Sequence, residues 1–173
     1  GAVTLEERVL AARRRVLGEE HHYTLANMMI LASFYAELDR FAEARTLFEE
    51  ALGTFRRVFG EQSVLAAEAA YRYAWILLTS GPEERRNRNA EEALRLAERA
   101  CALVEKGPGA RWDFLGSLAL AQHMRGDTEK AIQTQERALA LMPEEDYRRW
   151  DYEGRLATYY RSAGRVDDAA RLA

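Results

Sequence analysis

Residues 2–19 read AVTLEERVLAARRRVLGE, and residues 44–61, forty-two places further on, read ARTLFEEALGTFRRVFGE. Ten of the eighteen positions are identical, among them Ala2/Ala44, Leu5/Leu47, Leu10/Leu52, Arg14/Arg56, Val16/Val58 and Glu19/Glu61. A chain that copies itself at a fixed period of this length is an array of stacked supersecondary units. The chain therefore opens inside a repeat, at its second helix.

Working outward, Leu25, Met28, Leu31, Ala32 and Tyr35 fall at helical spacing, and Asp39-Arg40 ends the run. A second apolar run follows at Phe41, Ala44, Leu47, Phe48, Ala51, Leu52 and Phe55. Two helices joined by so short a turn are antiparallel neighbours. Small residues at Ala32, Ala44 and Ala51 sit where the backbones approach most closely. The pattern recurs at Ala74, Ala93 and Ala100, at Ala119, Ala131 and Ala138, and at Ala157 and Ala169. Asp39, Gly81, Gly126 and Gly164 are equivalent, each closing a first helix where a left-handed residue fits.

Composition agrees. Thirty alanines and only three prolines in 173 residues favour helix nearly throughout. A formal net charge of −3 disfavours a nucleic-acid partner, and the lone Cys101 excludes a disulfide framework. The longest clean apolar run, residues 74–78, is far below the roughly 20 residues that span a membrane. No signal peptide is visible, so a cytoplasmic setting is expected.

These residues resemble the tetratricopeptide repeat, whose pattern is filled by Met28, Leu31-Ala32, Tyr35, Ala44, Phe48 and Ala51. The 42-residue period and the linker Leu17-Gly18-Glu19-Glu20-His21 are similar to the kinesin-light-chain variety, found also in large multidomain bacterial signalling proteins. The resemblance implies an all-α, right-handed solenoid of about nine helices: 3–17, 23–38, 41–58, 63–79, 89–105, 111–125, 128–141, 147–163 and 165–173. One domain of residues 1–173 is expected. Its parts are a partial repeat at 2–18, repeats at 23–58, 63–105 and 111–142, and a fourth repeat or cap at 147–173. Ala97, Gln122, Thr128 and Gln135 stand where the family places aromatics, so packing there is expected to be looser. Ala74 to Ala93 is seven residues longer than its counterparts, and the polar stretch 82–89 is expected to protrude as an inserted loop.

In such a solenoid the first helices line a concave face, and the family register assigns that face to the second, fifth, ninth, twelfth and thirteenth places of each. The resemblance thus implies a peptide-binding groove of Met29, Ser33, Tyr71, Trp75, Leu78, Leu120, His123, Thr158 and Arg161, with Arg72 and Arg155 at its edge. Tyr71 and Trp75 stack one turn apart, and aromatic, Met and Arg side chains are the types enriched at interface hot spots. Gly116 and Gly154 occupy one place in successive helices. They leave room either for a ligand backbone or for a bulky neighbour such as Trp112 or Trp150. The Lys and Asn of chaperone-tail-binding relatives are replaced by Met29 and Ser33, so that specificity is not expected.

Chemistry finds little support. His21-His22 lacks metal-ligand spacing and reads as a helix-terminus pair. The serines lack a nucleophile motif. Gly107-Pro108-Gly109 is a turn rather than a phosphate loop. Arg14-Arg15 recurs as Arg56-Arg57, complementing helix C-termini rather than forming a nucleic-acid patch. No catalytic residue, metal or cofactor is expected. The expectation is a non-catalytic module that binds a protein or peptide. The alternative is a scaffold that self-associates through its solenoid ends or restrains a parent enzyme of kinase or NTPase type.

Overall fold

The computed structural model describes residues 1–104 and 111–172, and among them every element is a helix. In chain order these are α1 (Ala2–Leu17), α2 (His22–Glu37), α3 (Phe41–Phe59), α4 (Val64–Thr79), α5 (Glu83–Val104), α6 (Trp112–Met124), α7 (Thr128–Leu141), α8 (Arg149–Ser162) and α9 (Val166–Ala170). The expected turn at Gly107-Pro108-Gly109 lies outside the described residues.

Short turns fold α2 on α3, α4 on α5, α6 on α7 and α8 on α9. Asp39, Gly81, Gly126 and Gly164 all adopt positive φ, between 60° and 89°. In three of these turns the next residue's N–H reaches back over the helix end: Arg40 to Tyr35 O, Asp127 to Gln122 O and Arg165 to Tyr160 O, at 2.8–2.9 Å. This bond satisfies a carbonyl that the helix leaves open. The fourth turn cannot make it, because Pro82 has no N–H.

That difference corrects one expectation. Residues 82–89 are not a protruding loop; α5 begins at Glu83 and runs straight through them. Pro82 suits a position just ahead of a helix, and Glu83 and Glu84 complement the positive helix N-terminus. Between Glu83 and Asn89 the extension carries no apolar side chain. It is held instead by the Arg85 guanidinium, 3.7 Å from the centre of the Phe41 ring.

The core runs along the helix pairs. Ala32, Ala51, Ala74, Ala93, Ala100, Ala119, Ala131 and Ala138 are fully buried, so alanine marks the lines where backbones meet. Where aromatics were expected, Ala97 and Gln135 are equally buried, and Gln135 Nε2 donates to Tyr152 O of α8 at 2.9 Å. Successive first helices (α2, α4 and α6) pack against one another, while the second helices splay apart. The splay leaves convex clefts of about 790 Å³ between α1 and α3 and about 310 Å³ between α3 and α5. Closer spacing of the first helices bends the stack and places them on the inner, concave side.

The arginine runs serve the stack. Arg14 reaches Glu50, and Arg57 reaches Glu20, at 3.3 and 2.7 Å. Tyr hydroxyls also tie first helices to the second helix before them: Tyr35 donates to Glu7 at 2.8 Å and Tyr160 to Glu136 at 2.5 Å. Burial and that glutamate push the Tyr160 phenol up to about 12, so it stays a donor at neutral pH. His21 Nδ1 accepts the Tyr23 backbone N–H at 3.2 Å, as a capping residue does.

Candidate peptide-binding groove

The concave face has two unlike halves. Between α2 and α4 the facing side chains are small or aliphatic. They leave a cavity of about 200 Å³ lined by Ala26, Met29, Ile30, Phe55, Leu65 and Ala69, with Glu68, Arg72 and His22 contributing polar groups. Arg72 is exposed and pairs with Glu68 at 3.1 Å. Ser33 spends its hydroxyl on the Met29 carbonyl at 3.0 Å, one turn back in its own helix.

From α4 to α8 the face is filled by the chain's own aromatics. Tyr71 stacks on Phe114 at 4.5 Å between ring centres, and Trp112 meets Tyr152 edge to face at 5.3 Å. Arg155 of α8 reaches across α6 to lie 5.1 Å from the Trp75 ring centre on α4, and 4.5 Å from Tyr152. His123 and Tyr159 lie ring to ring at 4.5 Å. Arg111 covers Phe114 and Arg148 covers Trp112, at 4.7 and 4.2 Å. Burial raises the phenol pKa values of Tyr71, Tyr152 and Tyr159, and lowers that of the His123 imidazole. These groups therefore stay neutral at pH 7.

Several expected groove residues change role. Met29 and Leu78 are 4% and 2% exposed; they are withdrawn into the core, and the expected apolar strip is interrupted there. Tyr71, Trp75, Leu120, His123 and Arg155 are half-buried, while Arg72, Thr158 and Arg161 are exposed. Thr158 returns its hydroxyl to Gly154 O at 3.0 Å, and Arg161 donates to the Thr158 hydroxyl at 3.2 Å. The space at Gly116 is taken: a Cβ there would overlap the Tyr152 ring and hydroxyl. The neighbour that fills it is Tyr152, not Trp112 or Trp150. Around Gly154 nothing lies within 4 Å.

Sequence reasoning missed Phe114, Tyr152 and Tyr159. One signal was present: Phe114 and Tyr152 hold the same place in successive first helices, two residues before Gly116 and Gly154. Each faces the fifth place of the helix before it, so Phe114 meets Tyr71 and Tyr152 meets Gly116.

Among the described residues, no group of three His, Cys, Asp or Glu side chains could hold a metal ion. No described helix is long and apolar enough to cross a membrane.

A curved stack of helix pairs with first helices inside is an all-α repeat solenoid. Two tetratricopeptide-repeat family models match the chain, one over residues 24–81 and one over residues 1–23. They identify residues 1–81 as tetratricopeptide repeats, and the helix pairs that follow continue the same fold. No curated protein sequence matches. Among solved structures, the kinesin light chain nearly identical TPR-like repeats of Podosopora anserina share 24% identity at a TM-score of 0.74, covering 99% of this chain and 82% of that one. MamA from Desulfovibrio magneticus RS-1 shares 21% at 0.64, covering 98% and 90%. A thermophilic TPR protein of Thermus thermophilus shares 22% at 0.63, covering 99% and 77%. Repeats of this family serve as scaffolds for protein–protein interaction.

Proposed function

We propose that the chain is a non-catalytic module that binds a peptide or a helical segment along its concave face. The observation that carries this is the half-buried strip of Tyr71, Trp75, Leu120 and Arg155 on that face, adjoining the cavity between α2 and α4. Rigid aromatics beside arginines supply contact area at low entropic cost. Peptides selected from a display library against the intact chain test the reading. A Tyr71→Ala/Trp75→Ala variant is expected to lose at least about 2 kcal/mol of their binding, as removal of an interface anchor does. Undiminished binding by calorimetry overturns the assignment.

A second reading rests on α1. Leu5 and Val16 are 58% and 72% exposed, and with Ala2, Val9 and Ala12 they form one stripe at helical spacing. In the matching stripe of α3, Ala44 and Ala51 are buried and Leu47 is half-buried. An uncovered face of this kind supports self-association. Concentration-dependent light scattering tests it: growth of the scattering mass that a Leu5→Glu/Val16→Glu variant abolishes favours association, and a strict monomer rules it out.

A further inference from the structure

The α5 extension carries charge that the fold does not use. Arg85, Arg86 and Arg88 fall close together at the N-terminal end of that helix, where cations oppose the helix dipole. Glu83 and Glu84 balance them in sequence but not in space. Among the described residues no carboxylate lies within 4 Å of Arg85 or Arg88, although Glu84 precedes Arg88 by one turn.

Arg85, Arg88 and Asn89 share one face of α5, at spacings of three and four residues. That face lines the convex cleft of about 310 Å³ between α3 and α5. The floor of the cleft is apolar, made by Phe41, Phe48, Ile76 and Leu77, and no acidic side chain of the described residues lines it. Its rim is rich in reachable donors. Arg85 is held over the Phe41 ring at 3.7 Å. Its Nη1 is shut in beside Gly81, where an added Cβ would come within 3.2 Å of it. Its Nε and Nη2 have no hydrogen bond and remain accessible. The same is true of the Arg88 guanidinium, the Asn89 amide and the Ser80 hydroxyl at the end of α4. On the opposite wall Arg45 is already engaged, by Glu49 and Glu92 at 2.8 and 2.7 Å.

The larger cleft between α1 and α3 is a contrast. There Arg14 pairs with Glu50, Glu43 with Arg40, and Glu7 accepts from Tyr35, so that only Arg15 of its charged lining lacks a partner. The α3–α5 cleft instead sets two unmatched guanidiniums over an apolar floor. Guanidinium forks suit oxyanions. A carboxylate brings one charge and two oxygens, whereas a phosphate ester brings about −1.5 to −2 and three oxygens. The volume lies at the lower end of the roughly 300–1,000 Å³ of small-ligand pockets and leaves room for an organic group.

We propose that the α3–α5 cleft binds a phosphomonoester. Arg85, Arg88, Asn89 and Ser80 hold its phosphate, and its organic group rests on Phe41 and Ile76. The ester is either a free small molecule or a phosphorylated side chain of a partner. The site lies on the convex side and does not depend on the groove assignment.

Calorimetric titration of the intact chain with phenyl phosphate tests the proposal, with inorganic phosphate and benzoate as controls. Saturable binding of phenyl phosphate is expected, about tenfold or more tighter than either control. Arg88→Gln is expected to weaken it roughly tenfold, as loss of a hydrogen bond to a charged group does, and to melt at an unchanged temperature, since Arg88 is exposed and unpaired. Arg86→Gln removes the same charge from the same helix outside the cleft lining and is expected to leave the Kd unchanged. N-acetyl-phosphotyrosyl-N-methylamide separates the sources: binding as tight as phenyl phosphate or tighter indicates a partner side chain, and weaker binding a free ester. No saturable binding of phenyl phosphate, equal binding of either control, an unchanged Kd in Arg88→Gln, or an equal loss in Arg86→Gln overturns the proposal. Tyr71→Ala/Trp75→Ala is expected to leave phenyl phosphate binding intact, so the groove and this cleft fail separately.

Discussion

The two halves of the concave face share one scaffold and differ in what stands at two places of each first helix. Between α2 and α4 the facing pair is Met29 and Ala69, and an open cavity remains. Between α4 and α6 it is Tyr71 and Phe114, stacked; between α6 and α8 it is Gly116 and Tyr152, ring in notch. Side-chain volume at a single pair of positions thus decides whether that stretch of the concave face is a cavity or a half-buried aromatic surface.

The comparison breaks most severely at Phe114. Phe114→Ala should cost about 3–5 kcal/mol in urea unfolding, the usual loss for a buried phenylalanine, because the residue is 1% exposed and stacked. The glycine pair sharpens it next. Gly116→Ala drives a methyl into Tyr152 and should cost about 1–3 kcal/mol, whereas Gly154→Ala meets open space and should stabilise by up to about 1 kcal/mol through helix propensity. Both substitutions gain the same propensity, so their difference isolates the overlap. Adding Tyr152→Leu to Gly116→Ala should recover part of the loss, and the double-mutant cycle reads the coupling.

The smallest effect is a pH dependence. Burial holds the folded His123 pKa below its ordinary value near 6.5. As pH falls through that value the unfolded chain protonates first, so stability declines from about pH 6.5 down to the folded pKa. His123→Gln should flatten that part of the profile, measured by denaturant unfolding at about pH 7.5, 6.5 and 5.5.

Much of the fold was legible in residue order because it is local and repeated. Alanine spacing marked the pair interfaces, and Asp39, Gly81, Gly126 and Gly164 marked the turns. The α5 extension was not legible from periodicity, since its stabilising contact is a guanidinium on Phe41, outside the core pattern. The groove register pointed to Tyr71, Trp75, His123 and Arg155, which the structure leaves half-buried, but not to the rings they touch. Phe114, Tyr152 and Tyr159 act across helices distant in the chain, at a spacing fixed only when the stack forms. Met29 and Leu78 illustrate the same limit: their places match the groove, yet both side chains are buried, Met29 at the floor of the cavity between α2 and α4.

The contact between Arg155 and Trp75 has a mechanical consequence. A stack in which each repeat touches only its neighbours behaves as a spring, lengthening by small openings at every joint. Here α8 is stapled to α4 over the intervening α6. Pulling on the ends should therefore open the joint between α2 and α4 first, while the coils behind it extend as one stiff segment.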